Sequence, residues 1–229
     1  MKKFLFIAAT LFFTTAKSQL YLQGGLNLAN ITETTSGQTE DNKTLTTFNA
    51  GILGRFGLSK VVDLESGLLF TGKGSKADTY YSTSTTDNYV KTKFNPFYIE
   101  VPLNLVVRFP VKGTKGLFVY AGPYAAIGVA GKSTSDSKIL GITSHSEKDI
   151  QFANDDPFTS RQEDASYYKL KRFDFGLNGG AGIDLGKIIL KANYGYGFIK
   201  INSTESNNAS DDKNKYRTLS FSVGLPFSR

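Results

Sequence analysis

Phe97-Tyr98-Ile99-Glu100-Val101-Pro102-Leu103-Asn104-Leu105-Val106-Val107-Arg108-Phe109 alternates along its whole length. Phe97, Ile99, Val101, Leu103, Leu105, Val107 and Phe109 fall on one side; Tyr98, Glu100, Pro102, Asn104 and Arg108 fall on the other. A period of two places successive side chains on opposite faces of a β-strand, so this stretch is a two-faced strand and not a helix. Seven further segments separate in the same way: 20–30, 46–58, 61–73, 117–130, 171–185, 188–198 and 219–227. Each pairs an apolar face with one made of small or polar residues. In 171–185, for example, Phe173, Phe175, Leu177, Ala181, Ile183 and Leu185 oppose Arg172, Asp174, Gly176, Asn178, Gly180, Gly182 and Asp184.

The connections alternate as well. Residues 59–60, 110–116 and 186–187 are short turns, whereas 32–44, 75–93, 132–169 and 202–215 are long and polar. Three short turns and four long loops predict an all-β, eight-stranded antiparallel up-and-down transmembrane β-barrel with both termini on the periplasmic side. Every segment reaches the roughly 9–11 residues that a tilted spanning strand needs.

Alternation does not say which face points outward, and a soluble lipocalin-like barrel would reverse the orientation. The composition of the second face decides this. A water-facing strand carries Lys, Glu and Thr, because glycine weakens a strand and leaves nothing to pack. Here that face is rich in Gly, Asn and Ser, which suits the crowded interior of an eight-stranded barrel. Its charges, Arg55, Glu65, Glu100, Arg108, Arg172, Asp174, Asp184 and Lys191, are expected to form an internal network, since buried charges persist when paired. Aromatics near strand ends on the apolar face, including Phe56, Phe70, Phe97, Phe109, Phe173, Phe198 and Phe227, fit interfacial girdles.

The chain ends place this barrel outside the cytoplasm. Lys2 and Lys3 precede an uncharged run from Phe4 to Phe13, and Ala16-Lys17-Ser18 supplies small residues at a cleavage site. The run is too short for a membrane helix, which takes roughly 20 residues. The expectation is a signal peptide over 1–18, removed to leave an outer-membrane β-barrel domain over 19–229. Without Lys2, Lys3 and Lys17 the formal charge falls from +7 to +4. That is too mild and too dispersed for a nucleic-acid binder. The absence of cysteine excludes disulfides and thiolate metal sites.

Several short stretches resemble the outer-membrane β-barrel domain family of Bacteroidota-type bacteria, the PorT-like or "porin family" group. They are Phe97-Tyr98-Ile99-Glu100-Val101-Pro102-Leu103, Ala121-Gly122-Pro123-Tyr124, and Arg172-Phe173-Asp174-Phe175-Gly176 with Gly179-Gly180-Ala181-Gly182. Leu64-Glu65-Ser66-Gly67-Leu68 and Tyr196-Gly197 add weaker matches. The resemblance covers nearly all of residues 19–229 and implies a fold and a location, but no activity. Phe221, Gly224 and Phe227 match the spacing of an outer-membrane assembly signal, although the chain closes on Ser228-Arg229 instead of an aromatic.

Reactive chemistry is sparse. The single histidine, His145, stands between Ser144 and Ser146 in the longest loop, and a base needs a fixed partner. The acidic stretch within 149–164 has no EF-hand spacing and reads as a hydrated loop. The glycines of 176–182 lie inside a strand pattern and do not precede a helix, so they cradle no phosphate. No catalytic, cofactor or metal site is expected. Lys73, Lys76, Lys91, Lys93, Lys132, Lys169, Lys171, Lys200, Lys213 and Lys215 gather at the loop ends of strands, as a cationic collar for lipid phosphates would.

The expected function is a non-enzymatic structural or interaction barrel with loops on the cell surface. The alternatives are a narrow passive porin-like channel, a lipid-modifying enzyme using His145, and a soluble lipocalin-like binding protein. Expected partners are outer-membrane lipids and lipopolysaccharide, the barrel-assembly machinery, and a surface or secretion-system protein. No nucleic acid is expected, and the barrel is expected to be a monomer.

Overall fold

The computed structural model describes residues 18–35, 38–83, 86–111, 116–154, 169–201 and 213–227. The expected signal segment lies outside these residues up to Lys17, as does the acidic stretch beyond Asn154. The strands are β1 (Ser18–Thr35), β2 (Gln38–Asp41), β3 (Leu45–Gly57), β4 (Val62–Gly72), β5 (Ser75–Thr83), β6 (Thr86–Phe109), β7 (Gly116–Ile139), β8 (Ile142–Asp149), β9 (Gln151–Ala153), β10 (Lys169–Lys171), β11 (Phe173–Asp184), β12 (Ile189–Gly197) and β13 (Lys213–Pro226).

Eight of them close a ring. β1 pairs β3, and pairing then runs through β4, β6, β7, β11, β12 and β13 back to β1, each pair antiparallel. Closure removes every free edge in the wall, which hydrocarbon requires because it has no water for an unpaired N–H or C=O. The β11–β12 turn shows how local chemistry sets the register. Gly186 takes φ +86°, a value that favours glycine, its N–H is accepted by Asp184 Oδ1 at 2.8 Å, and Leu185 N donates to Ile188 O at 2.9 Å.

The apolar faces point outward. Leu22, Ile52, Leu68, Leu103, Val119, Leu177 and Phe221 are all exposed, while Gln23, Asn27, Asn49, Glu65, Asn104 and Asp174 are buried. Phe48, Phe70 and Phe97 stack on the outer wall near the loop end, with Phe70 and Phe97 centroids 5.0 Å apart. They form part of an aromatic girdle.

Three expected loops are corrected. Residues 75–93, much of 132–169 and most of 32–44 are strand, not loop, the last because β1 runs on to Thr35 and pairs with β2. β5, the first half of β6, the second half of β7 and β8 form a four-stranded wing that continues the wall beyond the lipid band. The outer face of this wing meets water and its inner face buries polar side chains, Ser75, Asn88 and Ser133, so its alternation is of charge against hydroxyl or amide. It therefore lacks the apolar signal by which a half-buried strand is recognised. A register shift between Phe97 and Tyr98 marks where the wing departs. Bulges of this kind cluster at barrel rims.

Candidate functional site: the filled interior and its mouth

The interior is built by register. On β4 the odd residues Asp63, Glu65, Leu69 and Thr71 face inward, and the same parity carries on past the strand end to Lys73. From the short-turn end toward the wing, charges and aromatics sit in layers.

The lower layer centres on Glu65, which is fully buried. Its Oε2 accepts Tyr21 OH at 2.6 Å and Arg55 Nε at 2.8 Å. Its Oε1 accepts Lys191 Nζ at 2.6 Å and Asn104 Nδ2 at 3.3 Å. The Arg55 guanidinium lies 4.0 Å from the centroid of Phe118, and Lys191 Nζ lies 4.6 Å from that of Tyr120. One carboxylate thus serves two cations, and aromatic faces take up part of the excess positive charge.

Amides fill the middle. Gln23 donates to Asn49, Asn49 to Asn27, and Asn27 to Thr71, at 3.2, 2.6 and 2.8 Å. The upper layer is a second ion cluster. Lys73 Nζ lies 2.7 Å from Asp174 and 3.1 Å from Glu100. Tyr124 OH donates to Asp174 at 3.0 Å, and Asn178 donates to Glu100 at 3.0 Å. Lys73 also stands 4.2 Å from the Tyr124 ring centroid. Above it, Ile31, Tyr98, Ile150, Leu170, Ile201 and Tyr216 form an apolar cap, with Phe94 and Phe152 against it.

The eight sequence-predicted charges therefore do not make one network. Arg55, Glu65 and Lys191 meet in the lower cluster, and Glu100 and Asp174 meet in the upper one. Arg108 pairs with Asp63 at 2.7 Å near the periplasmic rim, with its side chain 38% exposed. Asp184 caps the β11–β12 turn. Arg172 lies outside the barrel strands and donates to Phe152 O at 3.0 Å. Three buried charges were missed. Lys73, expected in the cationic collar, is an interior ion, and Lys171 is likewise buried. Asp63 was not among the expected network charges. The period-two parity of β4 was the signal that would have found both Asp63 and Lys73.

Glycine makes the filling possible. β7 sends Phe118, Tyr120 and Tyr124 across the inner face of β11, and Gly182, Gly180 and Gly176 lie beneath them. A Cβ at Gly182 would stand 2.3 Å from the Phe118 ring, and one at Gly180 would stand 2.6 Å from the Tyr120 hydroxyl. A cavity of about 50 Å³, room for a few waters, is lined by Glu65, Glu100, Lys73, Lys191 and the amides. A second, of about 220 Å³, lies at the mouth against Ile31, Phe94, Leu170 and Ile201.

His145 lies on exposed β8, hydrogen-bonded to Asp136 on β7. That hydrogen bond, and then the carboxylate charge, raise the imidazole above its ordinary value. Ser144 and Ser146 flank His145 on the strand and so project from its opposite face. Among the described residues no group of three or more acidic or histidine side chains gathers to hold a metal.

Phe221 and Phe227 are exposed on the lipid side, and Gly224 faces inward against the Tyr21 ring.

A family model for the outer membrane protein beta-barrel domain matches residues 15–203. No curated protein matches the chain. Among solved structures the chain is similar to Ail of Yersinia pestis, in a complex with the heparin analogue sucrose octasulfate. The identity is 14%, the TM-score 0.44, and the match covers 92% of this chain and 99% of that one. It is also similar to Neisserial surface protein A, at 13% identity and TM-score 0.39, over 91% and 97% of the two chains. A third is OprG of Pseudomonas aeruginosa, at 14% identity and TM-score 0.36, over 93% and 97%.

Proposed function

The chain belongs to the outer membrane protein beta-barrel domain family, and on that premise we propose that it is a closed, non-enzymatic barrel that acts by presenting its extracellular strands and loops to partners. It resides in the outer membrane, with its apolar wall in lipid. The filled interior carries this reading. Two ion clusters, an amide layer and an apolar cap occupy the lumen, leaving a cavity of about 50 Å³ between the two ion clusters and one of about 220 Å³ at the mouth. Such a barrel serves as a rigid support for what stands above it. His145, exposed and with both neighbouring serines on the other face of β8, supports a non-catalytic role.

Within the family, the matches at 97–103, 121–124 and 172–182 support a PorT-like, Bacteroidota-type member. The protein partner in this reading belongs to the cell surface or a secretion assembly and docks on the wing, and the barrel is a monomer. Residues 1–18 are the cleaved export signal. The test is conductance. The refolded protein in planar bilayers is expected to give no resolved single-channel current, and a well-defined open current would sink the proposal in favour of a passive channel.

Insertion in this reading proceeds through the barrel-assembly machinery, which recognises Phe221, Gly224 and Phe227. Both phenylalanines project into lipid from β13 or its end, and β13 closes the ring against β1. Phe227→Ala is expected to slow machinery-assisted insertion several-fold while leaving the denaturant midpoint of the folded barrel unchanged. Equal insertion rates for the variant and wild type would remove the assignment.

A further inference from the structure

The outer face of the wing carries its charges in rows that run across the strands. The row farther from the membrane is Asp78, Lys91, Asp136 and His145, directly opposite one another in register. It alternates in sign and neutralises itself. Asp78 also takes Lys43 at 2.9 Å, Asp136 takes His145, and Lys91 leans on the Tyr89 ring, 4.8 Å from its centroid.

The row nearer the membrane is built differently. Lys43 and Lys76 exchange both backbone hydrogen bonds, at 2.8 and 2.9 Å. Lys76 in turn stands directly opposite Lys93. Three lysines thus lie side by side with no acid between them. Lys43 reaches up to Asp78, but neither Lys76 nor Lys93 has an ion-pair partner among the described residues. Directly opposite side chains have Cβ atoms roughly 5 Å apart, and like charges so placed are destabilising. Nothing in the fold requires lysine at either position, because both side chains lie on the water-facing side of the wing.

The height of this row identifies what would relieve the repulsion. Lys93 stands four residues beyond Phe97, whose ring belongs to the girdle on the lipid wall. That is about 13 Å along the strand and roughly 10 Å in height for a strand tilted near 40°. Phosphate-bearing headgroups occupy this level. Two rows higher, Tyr80 and Tyr89 lie 6.4 Å apart, with Tyr80 62% exposed. They present ring faces of the sort on which sugars stack. We propose that Lys76 and Lys93, with Lys43 beside them and the Tyr80–Tyr89 pair above, form a docking face for the phosphorylated sugar headgroup of an outer-leaflet glycolipid. A phosphate seated between Lys76 and Lys93 converts a repulsive pair into two charge-assisted hydrogen bonds.

The test uses the full-length mature barrel in phosphatidylcholine nanodiscs doped with lipopolysaccharide, either intact or phosphatase-treated. Folding is checked by heat-modifiable gel mobility. Native mass spectrometry is expected to find intact glycolipid retained at least about tenfold over the dephosphorylated form, the lower bound for losing the two charge-assisted bonds. Lys76→Gln/Lys93→Gln should abolish that preference, whereas Lys60→Gln/Lys187→Gln at the periplasmic turns should preserve it. Equal retention of both glycolipids by the unaltered protein overturns the proposal without relying on any variant. So does a loss of preference in the periplasmic control, which would mean general charge attraction. Displacement by millimolar inorganic phosphate alone would reassign the face to a free anion and reject the lipid.

Discussion

Glu65→Ala is expected to destabilise the barrel by about 3–5 kcal/mol, the range for removing one partner of a buried ion cluster. Glu65 is fully buried and accepts from Arg55, Lys191, Tyr21 and Asn104. Without it, two cations remain in a low-dielectric interior with only aromatic faces opposite them. Glu65→Gln should cost nearly as much, because it keeps the shape but not the charge. Lys191→Met placed on Glu65→Gln should restore part of the loss by removing one of the orphaned cations. The measurement is guanidinium unfolding in detergent micelles. A loss below about 1 kcal/mol for Glu65→Ala would mean that the cluster contributes no more than a surface ion pair does.

Gly182→Val is expected to prevent the barrel from closing. A side chain there meets the Phe118 ring at 2.3 Å and Leu190 O at 2.4 Å. The ring is hemmed in by Arg55, and the carbonyl belongs to the β12 ladder. Overpacking of a well-filled core costs up to about 3 kcal/mol even where neighbours can shift, and here one neighbour is backbone. Gly179 on the same strand is the control. It faces lipid, and the nearest atom to a Cβ there is Tyr120 O at 4.0 Å. Gly179→Val should fold and show the heat-modifiable shift; Gly182→Val should run as unfolded protein. Equal behaviour would mean that strand propensity, not the fit against Phe118, governs these glycines.

The corrections fall where local pattern loses its physical cause. Lys73 was taken for a loop-end lysine because the apolar alternation of β4 stops at Gly72, yet the backbone keeps its direction one residue longer and carries Lys73 inward. The wing reads as loop because what it buries on its inner face is polar, Ser75, Asn88 and Ser133. A strand with polar residues on both sides offers no apolar period to find. Five of the eight expected inner charges, Arg55, Glu65, Glu100, Asp174 and Lys191, were legible one by one from their parity, whereas their division into two clusters was not. Lys191 reaches Glu65 across 126 residues of sequence, and Lys73 reaches Asp174 across 101.

The amino-acid sequence by itself determined that eight two-faced strands close one ring, and that the glycine- and asparagine-rich face lies inside. Both follow from period two and from side-chain volume, which are properties of neighbouring residues. Only the tertiary structure decided which charges share a height and which aromatic ring lies over which glycine. It also decided that 150–153 and 169–171 fold in to form part of the cap, and that Lys43, Lys76 and Lys93 line up. Those outcomes depend on strand tilt and on the stagger between strands, which arise when the ring closes and are written in no single strand.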